Sequence, residues 1–216
     1  MFKHIFTKLL TITNIIIMKN ITFFLVVLVS AVQFAFTGPG KNATTYKVDP
    51  ALTTLVWTGK KVTGAHTGNV KVTQGNIILD GKTVKGGSFD IDMNSITCTD
   101  LTDAGYNAKL IGHLKNEDFF AVDKFPKASF VASSITSKGG DNYDVTGKLT
   151  IKGIAKDITF PAVIKTNGKV VTADAKIKVD RTKYDIKYGS GSFFDNLGDK
   201  TIEDNFEIDL KLVANK

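Results

Sequence analysis

Cysteine, arginine and tryptophan occur once each in this chain of 216 residues, and proline four times. With Cys98 alone, an intramolecular disulfide and a cysteine-built metal cage are both excluded, and stability must come from a packed core. The thiol itself reads as a small buried apolar side chain. Blocks of one charge are missing too. The lysines are interleaved with Asp and Glu, which describes a solvated surface and not the clustered basic face that nucleic acid requires. The formal charge is +7, of which Lys3, Lys8 and Lys19 supply three, leaving +4 for the rest. No G-x-S-x-G elbow, phosphate-binding loop or H-E-x-x-H pair occurs, and no solenoid-length repeat. The expectation is therefore no catalytic residue, no metal ligand and no cofactor.

Also absent is an apolar run of the ~20 residues that a membrane-spanning helix needs. The longest uncharged apolar stretch, Ile21 to Phe36, follows Lys19 and gives way to Thr37-Gly38-Pro39-Gly40. A basic start, a short apolar middle and a small-residue break describe a secretory signal peptide. Residues 1–37 are read as that signal, cleaved after Thr37 or Ala31, with Met18 as an alternative start. Residues 38–45 are a polar linker and 46–214 one domain. The mature chain is expected to be periplasmic or secreted, not an integral membrane protein.

What the chain has in quantity is period-two alternation, which puts alternate side chains on opposite faces of a sheet. Tyr143, Val145, Gly147, Leu149 and Ile151 oppose Asp144, Thr146, Lys148 and Thr150. The same pattern recurs at Ile158–Ile164, Ala173–Val179, Ile202–Leu212 and Phe89–Met93, with shorter strands near Leu55–Trp57, Val70–Val72 and Ile77–Leu79. Turn signals fall at Asp80-Gly81, Gly86-Gly87, Gly139–Asn142 and Asn167-Gly168. Short one-sided strands joined by hairpins form an antiparallel barrel or sandwich. The rhythm breaks at Ala104–Phe120, where Leu110, Ile111 and Leu114 have helical spacing and predict one or two turns. A Gly-rich connection, Tyr188–Lys200, joins two late strands.

The inward face carries Trp57, Phe89, Ile91, Phe130, Tyr143, Leu149, Ile151, Phe160, Ile177, Phe206 and Ile208, with no charge among them. Interspersed are Ala128, Ala132, Gly147, Ala162, Ala173 and Ala175. Native packing density takes bulky side chains, so small ones leave room for an apolar guest. An ordinary packed core accounts for the same pattern, and patterning alone does not choose.

Polar candidates are few. His66, in Thr63–Gly68, is read as part of a tight turn. His113 and Glu117 stand four apart and form an exposed helix pair, with no third ligand for a metal. Arg181 ends an alternating strand, where its fork geometry suits either a structural bridge to Asp180, Asp185 or Asp199 or an anion at a barrel mouth. Arg181 and His66 are the candidate contacts for a polar head group.

Several motifs in order resemble those of the YceI-like, polyisoprenoid-binding family. They are Tyr46–Pro50 with Val56–Lys60, His113–Phe120 with Lys124–Phe130, Gly147–Gly153 with Ile158–Pro161, Lys178–Tyr184, and the closing Ile202–Leu212 strand. Trp57–Lys61 and Gly189–Asp199 look most like its Bacteroidetes-type branch. The resemblance implies an all-β fold, an eight-stranded up-and-down lipocalin-like barrel with one or two short helices. It also implies an elongated apolar lumen and an exported carrier or reservoir for an isoprenoid, quinone-like, prenyl-phosphate or fatty-acid-like guest. The expected partner is that apolar ligand, with a homodimer left open. The competing reading is a stress-response or interaction protein whose barrel is a filled scaffold and whose working surface is Gly189–Asp199.

Overall fold

The computed structural model describes Ala43–Lys216; the expected signal segment, alternative start and most of the linker lie outside the described residues. Strands β1 (Ala43–Val48), β2 (Thr54–Lys61), β3 (Gly64–Asn69), β4 (Lys71–Asp80) and β5 (Thr83–Asp92) come first. Helix α1 (Ala104–Lys115) follows. Then come β6 (Lys127–Gly139), β7 (Asn142–Ile151), β8 (Ile154–Thr166), β9 (Val170–Asp180) and β10 (Asn205–Asn215). β1 starts within what the sequence reads as linker.

These segments build a closed antiparallel barrel of eight staves. β4 to β10 pair in chain order. β3 and β4 form one stave interrupted at Val70, whose N–H donates to the Leu55 carbonyl at 3.0 Å. β1 and β2 share another: β1 pairs with β4 and β10, β2 with β3 and β10. Between them the Asp49-Pro50 turn interrupts the stave, and there the Asp49 N–H donates to Val213 O (2.8 Å) and the Val213 N–H to Thr53 Oγ1 (3.1 Å). The edge is thus sealed across the break, as barrel closure requires.

Three local expectations change. Gly64–Asn69 is a strand, not a tight turn, because pairing with β2 imposes extended backbone on a stretch with little propensity of its own. Gly86-Gly87 lies inside β5, opposite Ile78 and Ile77, and the turn is Gly81-Lys82, with Gly81 at φ +60°. α1 is longer than one or two turns, started by Asp103, whose carboxylate accepts the Tyr106 N–H at 2.8 Å. It ends at Lys115, so His113 and Glu117 share no helix face. His113 instead meets Asp118 (3.2 Å) and Glu117 meets Lys124 (2.7 Å).

Candidate ligand-binding lumen

Along β10 the inward side chains lose burial in one direction. Leu212 and Leu210 are buried, whereas Phe206 and Ile208 are only half-buried although they face the interior. They line a cavity with Trp57, Ile91, Leu149, Ile151 and Ile177, closed on one side by Leu114, Phe119 and Phe120 from the end of α1 and the turn after it. Its free volume is about 120 Å³. An apolar cavity of about 150 Å³ takes up benzene; this lumen is somewhat smaller and open at one end. At the mouth stand Gly59, Ile202 and Glu203.

Phe89 and Phe130, with ring centroids 5.5 Å apart, and Phe160, 5.4 Å from Phe130, cross the barrel. Beyond them is a second, smaller space of about 60 Å³, lined by Ala132, Ala162, Ala173 and Ala175. The small inward residues therefore act mainly at the far end; only Ala128 and Gly59 border the main lumen. Gly147 opens no space, because the Phe130 ring packs against it.

Nine of the eleven inward candidates line the main lumen: Trp57, Phe89, Ile91, Phe130, Leu149, Ile151, Ile177, Phe206 and Ile208. Phe160 faces the smaller chamber, and Tyr143 borders an outer groove with Lys138 and Pro161. Met93, Ile96, Leu114, Phe119 and Phe120 join the lining from the connection between β5 and β6. Helical spacing marked Leu114, but nothing local says that this connection folds over the lumen.

Arg181 is 2% exposed and lines the lumen. Its Nε donates to Glu203 O (3.0 Å), one terminal nitrogen to Ile186 O and Tyr188 O (both 2.8 Å), and the other to Ile202 O (3.0 Å). Its carboxylate partner is Asp204 at 3.7 Å, not Asp180, Asp185 or Asp199. Burial lowers its pKa while Asp204 and Asp180 oppose that shift; the guanidinium remains charged. With four of its five N–H groups committed to carbonyls, it has little left for an anion. It ties the Ile186–Tyr188 segment to the start of β10.

His66 does not reach the lumen. Its Nδ1 lies 2.8 Å from Asp100 Oδ2, and Cys98 Sγ donates to Asp100 Oδ1 at 3.2 Å. Among the described residues, no helix is long and apolar enough to cross a membrane.

Residues 46–214 match the profile of the YceI-like domain. The crystal structure of Burkholderia cenocepacia BcnA superposes with a TM-score of 0.62 at 30% identity, covering 78% of this chain and 99% of that one. A polyisoprenoid binding domain from Saccharophagus degradans, implicated in plant cell wall breakdown, shares the fold (TM-score 0.58, 14% identity, 79% of this chain and 97% of that one). Protein YceI of Salmonella arizonae is 32% identical over 101 residues, 47% of this chain and 50% of that protein. A Pseudomonas putida protein named UPF0312 is 31% identical over 102 residues, with the same coverage. The chain spans about half the length of the curated relatives it matches.

Proposed function

Because the chain belongs to the YceI-like domain family and its barrel holds an apolar lumen, we propose that it binds a lipid-like guest there, as an exported carrier or reservoir, without catalysis. The observation that carries this is the half-burial of Phe206 and Ile208 on the inward face. Apolar side chains turned into a barrel and left partly uncovered are what a guest would cover. Burying one isoprenoid unit removes roughly 100 Å² of apolar surface, about 2–3 kcal/mol at ~25 cal/mol/Å². Several units are needed to offset the cost of association. The polyisoprenoid binding of the Saccharophagus domain agrees with this class of ligand.

The charges narrow the class. The lining's cation, Arg181, is consumed by backbone carbonyls, and Glu203, which borders the lumen, is exposed to solvent. Nearby Lys60 is tied to Glu207 at 2.9 Å. A neutral, quinone-like head therefore suits this mouth better than a prenyl phosphate or a fatty-acid carboxylate. Export rests on the Ile21–Phe36 signal, and assignment to a Bacteroidetes-type branch on Trp57–Lys61 and Gly189–Asp199.

Trp57, the only tryptophan, lines the lumen, so its emission reports occupancy. Titration with a short-chain ubiquinone analogue should quench it saturably at one equivalent, and native mass spectrometry should retain the complex. Absence of both quenching and a retained adduct would rule the proposal out.

A further inference from the structure

Away from the lumen, three metal-ligating side chains converge. A ring nitrogen of His66, Cys98 Sγ and an Asp100 carboxylate oxygen all lie within 4.8 Å of one another. We propose that His66, Cys98 and Asp100 form a binding site for a borderline-soft divalent cation of the zinc class, with water completing the coordination.

The ligands are held in place before any ion arrives. Thr97 and Thr99 donate their N–H groups to Asn69 O and Thr67 O, both at 2.9 Å, which lays the loop along β3. Gly68 makes that approach feasible, since a Cβ there would sit 1.8 Å from Thr97 O. From the other side Trp57 Nε1 donates to the same Thr97 oxygen at 3.0 Å. Asn107 clamps the carbonyls of Cys98 (3.0 Å) and Leu101 (2.9 Å). The loop carrying Cys98 and Asp100 is thus fixed against the strand carrying His66.

The hydrogen bonds have the form of a metal site with protons in the cation's place. The Asp100 carboxylate also accepts the Thr67 N–H at 2.8 Å, which fixes its orientation. The imidazole (2.8 Å) and the thiol (3.2 Å) both aim at this one carboxylate. In a tetrahedral zinc site, bonds of about 2.0 Å to N and O and 2.3 Å to S separate the ligand atoms by roughly 3.3–3.7 Å. Small adjustments of side chains already in contact reach that geometry. The entering cation takes the place of the thiol proton, which passes to solvent, and needs a ring nitrogen of His66 that carries no proton. A nitrogen, sulfur and oxygen donor set selects zinc-class ions over calcium or magnesium. Cys98 is buried, while His66 and Asp100 are about one-third exposed (33% and 31%), which leaves the remaining position open to water.

The site is mechanically linked to the lumen. His66 pairs with Gly59 across β2 and β3, and Ile96 precedes the clamped loop; Gly59 and Ile96 both line the cavity. An ion would fasten the loop to the wall.

The test is titration of the reduced full chain with Co(II), the spectroscopic stand-in for zinc. The expected result is a near-ultraviolet thiolate-to-cobalt charge-transfer band that saturates at one equivalent and is abolished by Zn(II). Cys98→Ser should remove the band, and His66→Gln should weaken Zn(II) binding at least tenfold, with Trp57 emission confirming that both variants fold. No charge-transfer band in the wild-type chain, or Zn(II) affinity unchanged in both variants, would overturn the site. The wild-type spectrum decides even if a variant fails to fold. Quinone quenching of Trp57 is read separately, so the two proposals fail independently.

Discussion

The Cβ that Gly147 lacks would lie 2.5 Å from Cζ of Phe130 and 2.4 Å from the Val131 carbonyl oxygen. The glycine is there because the Phe130 ring occupies its side-chain space. Gly147→Ala should destabilise the barrel by about 1–3 kcal/mol, the usual cost of overpacking, read from the urea midpoint.

Phe130 packs between Phe89 and Phe160 and separates the two cavities. Phe130→Ala should cost about 3–5 kcal/mol and join the chambers. Quinone analogues with longer tails should then gain affinity relative to short ones; an unchanged preference would show that Phe130 is not the barrier.

Arg181→Lys should behave as a severe change. One ammonium cannot reach the carbonyls of Ile186, Tyr188, Ile202 and Glu203 together. With several buried acceptors orphaned, a loss of about 3–5 kcal/mol is expected, accompanied by faster limited proteolysis between Ile186 and Ile202.

Burial, with a contribution from Asp180, raises the Tyr184 pKa to about 12, and no protein group among the described residues bonds its hydroxyl. The folded state keeps this phenol neutral, whereas the unfolded chain ionises it near pH 10. Its contribution is therefore fully present below pH 10 and is lost as pH rises toward 12, by about 2–3 kcal/mol. Tyr184→Phe should cost little at pH 7 and retain more stability than wild type at pH 12. Parallel denaturation curves for the two chains at both pH values isolate the effect.

Glu203→Lys reverses a charge at the rim of the lumen, where the head group of the proposed ligand would lie. Affinity for a fatty acid should rise about five- to tenfold, from about 1 kcal/mol of near-surface Coulomb energy, with the neutral quinone unchanged. Equal effects on both ligands would place the head group elsewhere.

Legibility followed the range of the interactions. Strands β5 and β7 to β10 were readable because alternation is local, and so was the inward assignment of Trp57, Phe130 and Ile208. β3 was hidden, since Gly64-Ala65-His66-Thr67-Gly68 carries no alternation and is extended only by its partner. The small inward residues are visible in the alternation, but the chamber they border depends on where Phe130 points.

The sequence by itself determined an antiparallel all-β fold, a barrel or a sandwich, with its inward face and an apolar interior, because burial of alternate side chains is written into most of the strands. Only the tertiary structure decided which contacts those faces make. Arg181 finds the Glu203 carbonyl 22 residues on and Asp204 next to it, Trp57 reaches Thr97 across 40, and His66 meets Asp100 across 34. Such meetings depend on barrel register and on a loop folding back, and no short window of sequence contains either.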